Sequence, residues 1–63
     1  MNLYAYDGIV MKFNQIISRR WQGQTYAPSE KKAKSNLEYQ FKTKNNYKPN
    51  VKISLPDEIR IIG

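Results

Sequence analysis

Five carboxylates are the acidic groups available for chemistry in this chain: Asp7, Glu30, Glu38, Asp57 and Glu58. Asp7 and Asp57 read as turn residues and Glu30 and Glu38 as residues on a helix surface. None is flanked by the apolar sequence that would bury it and raise its pKa for general acid or base work. Histidine and cysteine are both absent, which removes the commonest general base, the commonest zinc ligand and every thiolate. A nucleophilic hydroxyl would need a base that this composition does not supply. The glycines are isolated, so no phosphate-cradling loop is formed. The expectation is a protein that is not an enzyme and takes no cofactor or metal.

The cations carry more information. Lys and Arg number 11 against 5 Asp and Glu, a net charge of +6 on 63 residues. Such a balance favours association with nucleic acid or with an acidic surface. Arg19 and Arg20 stand next to Trp21, a combination of guanidinium forks and an aromatic plane that suits gripping a phosphate and stacking on a base. Trp21 has an equally good use as a core anchor in so small a protein. Lys31, Lys32 and Lys34 follow Pro28-Ser29 at the start of an expected helix. Cations there oppose the helix dipole unless an anion neutralises them, and a phosphate is the obvious anion. Lys48 and Lys52 extend this second clamp.

The elements that must position these residues follow from periodicity. Leu3 to Tyr6 has strand propensity, and Asp7-Gly8 marks either a tight turn or an irregularity. The second reading is preferred, with a main strand over residues 9 to 17, a hairpin turn at Ser18-Arg19-Arg20 and a partner strand from Trp21 to Ala27. In that partner strand Trp21, Gly23, Thr25 and Ala27 alternate with Gln22, Gln24 and Tyr26.

Ser29 is the expected N-cap of a helix from about Glu30 to Thr43. Ala33, Leu37 and Phe41 recur at every fourth position and form a narrow apolar stripe to lay across the sheet. Its inner partners are expected among Val10 or Met11, Trp21 or Thr25, and Ile61. Lys34, Glu38 and Lys42 share the opposite face and are spaced for salt bridges. Asn45 to Asn50 reads as a loop in which Pro49 holds Lys48 out of helical geometry. Val51 to Leu55 alternates, Pro56-Asp57-Glu58 turns, and Ile59 to Ile62 is a closing strand returning beside the first.

The resulting architecture is a single α+β domain over residues 1–63, in ββαβ order, with an antiparallel sheet covered on one face by one helix. Its length allows one thin core and no deep pocket. No apolar run approaches the roughly 20 residues of a membrane helix, and Met1-Asn2 leads into Leu3-Tyr4 without a signal-peptide pattern. The expected location is the cytoplasm.

Ser29-Glu30-Lys31-Lys32-Ala33-Lys34 after a strand resembles the basic start of the second helix in double-stranded-RNA-binding domains, whose lysines contact phosphates. That family opens with a helix and closes on the basic one, whereas this chain has strands in both places. Only the phosphate clamp at Lys31 and Lys34 carries over. The wider pattern is Tyr6-Asp7-Gly8-x-Val10, Trp21, Thr25-Tyr26-Ala27-x-Ser29-Glu30-Lys31-Lys32-Ala33-x-Ser35-Asn36-Leu37 and Lys52-Ile53-Ser54-Leu55-Pro56. It resembles small proteins of phages and mobile elements of Gram-positive bacteria. The resemblance implies an accessory role in a host cell, with nucleic acid or a bacterial host protein as partner. The leading expectation is phosphate binding through Arg19, Arg20, Trp21, Lys31, Lys32, Lys34 and Lys48. The alternative is a protein-binding inhibitor of a host defence or replication protein, and a structural role in a phage particle comes third.

Overall fold

The computed structural model describes residues 1–48 and 50–63. Two long strands, β1 (Asn2–Lys12) and β2 (Gln15–Ala27), form an antiparallel hairpin, followed by the helix α1 (Glu30–Lys44) and a short strand β3 (Arg60–Ile61). The sheet order is β2-β1-β3, and α1 packs against it, so the α+β class and the ββαβ order are those expected from the sequence. Within the loop expected over Asn45–Asn50, Pro49 lies outside the described residues.

The hairpin turn is not at Ser18-Arg19-Arg20. It is the two-residue turn Phe13-Asn14, closed by the Lys12–Gln15 pair. Phe13 takes a positive φ of 57°, a region that a bulky L residue enters only with strain. The hydrophobic pattern hid this turn, because Met11-Lys12-Phe13 reads as the inside of a strand. Asp7 and Gly8 are ordinary ladder positions opposite Gln22 and Trp21, and the irregularity comes just after them. Between the Gly8–Trp21 and Val10–Ser18 pairs β1 advances two residues and β2 three, so the extra residue falls in the Arg19-Arg20 stretch. A second extra residue, at Ile17, precedes the Met11–Ile16 pair. Bulges of this kind twist a ribbon and re-aim its side chains.

Helix α1 begins where its cap requires. The Lys32 N–H donates to Ser29 Oγ at 3.2 Å, and Glu30 supplies a carboxylate to the first turn. Its end is a Schellman motif: Asn46 has φ 61°, and the Tyr47 N–H donates to the Lys42 carbonyl at 2.9 Å. The apolar contact that accompanies this motif is present too, as Tyr47 stacks on Phe41 with ring centroids 5.9 Å apart. The helix end therefore folds the following loop back onto the core.

Ala33, Leu37 and Phe41 are buried as their spacing predicts. Leu37 and Phe41 pack with Tyr6, Val10, Ile53 and Leu55, while Ala33 joins Tyr4 and Ala27. Trp21 is partly buried against the first cluster and meets Phe41 edge-on at 5.5 Å. Gly23 permits this, since a Cβ there would collide with the Trp21 ring and press on Leu37. Ile61 is corrected: it is 61% exposed, and Ile59 is the tail residue that packs on both clusters. Pairing Ile61 with Tyr4 at the sheet edge leaves it outside the reach of the helix.

Residues 51–55 keep their alternation, with Ile53 and Leu55 buried and Lys52 and Ser54 exposed. They form no strand, and a single bridge joins Ser54 to Met11. What holds the next turn is polar. The Ile9 N–H donates to Asp57 Oδ2 at 2.9 Å, the Tyr6 hydroxyl donates to the Ile9 carbonyl at 2.6 Å, and the Asp57 N–H donates back to the Tyr6 oxygen at 3.2 Å. Ile9 sits where the strand register shifts, so Asp57 and Tyr6 supply the hydrogen bonds that β2 does not. A Cβ on Gly8 would run into the Asp57 carboxylate, which explains the glycine.

Two outcomes follow. Leu37→Ala should cost roughly 2 to 5 kcal/mol, enough to unfold much of a domain with so small a core, and a thermal melt reads it directly. Tyr6→Phe keeps the ring but removes both hydroxyl bonds, and it should cost about 1 to 3 kcal/mol in a denaturant titration. A melting curve like the parent's for either variant would contradict the packing described.

Candidate nucleic-acid interface

The expected site residues occupy two separate places. Lys31, Lys32 and Lys34 are exposed at the start of α1, next to the Ala27 end of β2. Arg20 and Arg19 lie seven and eight residues before Ala27 on β2, about 23 to 26 Å of extended chain away, on a molecule 30 Å in its longest dimension. Lys48 follows the far end of the helix and stands with neither group of the helix start. Lys52 is likewise beyond it, two residues from the Ser54 that bridges to Met11.

Arg20 has a partner already. Its Nε and Nη2 donate to the two oxygens of Asp7, each at 3.0 Å, in a bidentate fork. Gln22 Nε2 donates to the same carboxylate at 3.2 Å. The Arg20 bonds, then the Gln22 bond, hold the Asp7 carboxyl below its usual range, and Asp7 in turn raises Arg20. Arg20 therefore serves first to neutralise an acid on the sheet surface. Arg19 is exposed and has no such partner among the described residues. Trp21 belongs mainly to the core, through its contacts with Phe41 and, at 6.2 Å, with Tyr6.

The helix-start lysines also have acids near them. Lys31 and Lys34 line a groove of about 350 Å³ together with Glu30, Asp57 and Glu58. Three lysines and three carboxylates thus share this half of the molecule. Glu38, in the middle of α1, is pushed up by partial burial, and the nearby charges of Lys34 and Lys42 offset this only in part.

The opposite end is different. Lys12 closes β1 and lies 5.9 Å over the Tyr47 ring, Lys44 closes α1, and Lys42 Nζ donates to the Val51 carbonyl at 3.1 Å. Lys48 and Lys52 flank the same loop, and Arg19 lies four residues along β2 from Gln15, which closes the hairpin turn. Lys42 also stands near Glu38, which leaves Lys12, Arg19, Lys44, Lys48 and Lys52 as the five other cations of this end. Of the five carboxylates, Asp7 is matched by Arg20, three belong to the helix-start groove, and Glu38 is mid-helix. The hairpin end thus holds the unbalanced charge of the chain, and at its tip stands Phe13, 81% exposed, with Ile16 also exposed. Lys12, Phe13 and Lys44 were missed by sequence reasoning. Asn14, a turn former after an aromatic residue, was the available signal.

Among the described residues no group of three or more metal-ligating side chains gathers, and no helix is long and apolar enough to cross a membrane. No protein-family model, curated protein or solved structure matches the chain. The chain is a small basic α+β domain with a charged end and a covered sheet face.

The Asp7–Arg20 fork has a pH signature. Asp7 binds its proton less readily in the fold than in the unfolded chain, so it contributes stability above its unfolded value near about 3.9 and loses it as pH falls through the lower folded value. Glu38 has the opposite sign: its contribution is present below about 4.3 and is lost as pH rises through its raised folded value. Melting temperatures taken across the acid range should show Asp7→Asn flattening the loss on acidification and Glu38→Gln steepening it. Identical acid limbs in Asp7→Asn and the parent would remove the fork as a source of stability.

Proposed function

We propose that this protein binds nucleic acid without catalysing a reaction, through contacts to phosphates, in the service of a phage or mobile element inside a bacterial host cell. The observation that carries the reading is the segregation of charge. Five cations, Lys12, Arg19, Lys44, Lys48 and Lys52, lie toward the hairpin end while four of the five carboxylates are matched by Arg20 or line the helix-start groove, a field that attracts a polyanion and orients it toward one end. The origin rests on the resemblance of the Tyr6–Val10, Thr25–Leu37 and Lys52–Pro56 patterns to small phage and mobile-element proteins. The helix-start lysines Lys31, Lys32 and Lys34 remain a secondary clamp within this reading, and Arg19 with Lys48 belongs to the main one.

The rival is an inhibitor that docks on a host protein. Its candidate anchors are Arg19, Arg20, Tyr39 and Tyr47, residue types that dominate interface hot spots. Arg20 is committed to Asp7 and Tyr47 to Phe41, which leaves Arg19 and the exposed Tyr39. Interfaces concentrate their energy in such anchors, whereas phosphate binding spreads it over many cations.

A salt titration of binding to DNA and RNA decides the matter. The log-log slope should be about −0.7 to −0.9 per phosphate neutralised. Replacing Lys44, Lys48 and Lys52 by Ala should flatten it by roughly two to three units, and replacing Lys31 and Lys34 by roughly one to two at most. No binding to any DNA or RNA at low salt would overturn the proposal and leave the inhibitor reading in its place.

A further inference from the structure

Phe13 combines three features that folding alone does not account for. It is a large apolar side chain left 81% exposed, it is held at a positive φ of 57°, and it occupies the tip of the hairpin. Exposure means that the ring earns little from packing within its own chain. The backbone strain is avoidable, because Gly and Asn take this φ with far less cost. A residue that is both strained and unburied is a candidate for function rather than for the fold. Its setting is equally specific: Lys12 adjoins it in the chain and lies over the Tyr47 ring, Lys48 follows Tyr47, and Lys52 is two residues from the Ser54 that bridges to Met11.

We infer that Phe13 is a base-stacking residue, which lays its ring against an unpaired base of a single strand whose phosphates the neighbouring lysines hold. This deepens the nucleic-acid reading above and rests on it. Aromatic rings among cations are the recurring device of single-strand binding, because every base offers a π-face and the backbone offers charge. An unpaired base is favoured over a duplex step, since a ring entering a duplex must first unstack two base pairs. A hairpin tip reaches outward from the body of the protein and meets a splayed base without a groove to enter. Ile16, two residues past the turn, is also exposed and adds apolar surface to the same end of the hairpin.

The test uses the full chain with a short fluorescein-labelled oligothymidine strand and with a blunt duplex of equal length, read by anisotropy across salt concentrations. Phe13→Ala and Phe13→Leu should both weaken strand binding about five-fold or more, the effect of losing a stack worth about 1 kcal/mol. Phe13→Tyr should restore it, and the salt slope should be the same in all four proteins, because no phosphate contact is touched. Phe13→Gly should lose affinity as Ala does while melting at the parent's temperature or above, since it relieves the backbone without removing buried surface. Full affinity in Phe13→Leu, or a loss seen with the duplex alone, overturns the stacking role while leaving phosphate binding intact. A parent protein that binds neither probe overturns both.

Discussion

A run of four aromatic rings holds this fold together. Tyr6 lies 6.2 Å from Trp21, Trp21 meets Phe41 edge-on at 5.5 Å, and Phe41 stacks on Tyr47 at 5.9 Å. The four come from β1, β2, α1 and the loop after α1, so one contiguous contact joins every part of the chain except the tail. Tyr6 then extends it to the tail through its hydrogen bonds with Ile9 and Asp57. A chain of 63 residues without cysteine has little else to use. Aromatic side chains bury more surface per residue than any others, and their edge-to-face geometry restricts the angles at which the elements meet.

That use of the rings settles how the polar residues are distributed. With Trp21 turned inward over Gly23, the alternate residues of β2 lie on the open face of the sheet, where Arg20 and Gln22 gather around Asp7. The tail that brings Asp57 to Ile9 also brings Glu58 beside Lys31 and Lys34. Carboxylates are in this way consumed by structure in the middle and at the helix start. The hairpin end has no such structural need, and its cations outnumber its acids.

The sequence displayed local elements well and long-range placement poorly. Ser29 as N-cap and the Ala33–Leu37–Phe41 stripe were legible because each is set by residues within one or two helical turns. The alternation of Trp21, Gly23, Thr25 and Ala27 toward the helix was legible for the same reason. The hairpin turn was not, because Phe13 contradicts the usual turn chemistry and Ser18-Arg19-Arg20 imitates it. Two extra residues in β2 then shifted every pairing beyond Trp21. Arg20 looked like a free phosphate ligand for want of its partner, and Asp7 lies thirteen residues away in sequence. A charge can be counted from composition, but whether it is already neutralised depends on register, which the bulges changed.

The departures from local rules are themselves unevenly spread. Most of the chain obeys its propensities: the caps, the stripe and the Schellman end at Asn46 agree with one another. The exceptions cluster at one end, where a bulky residue takes a left-handed turn, a strand carries two extra residues and cations outnumber acids. Consistent sequences fold well, and natural ones break the rules mostly where something other than folding is selected. Asn46 shows that this chain meets a positive φ with a suitable residue at the helix end, where only structure is at stake. At the hairpin tip it places phenylalanine instead. The same backbone problem thus has two solutions in one protein, and the costlier one coincides with the unbalanced charge.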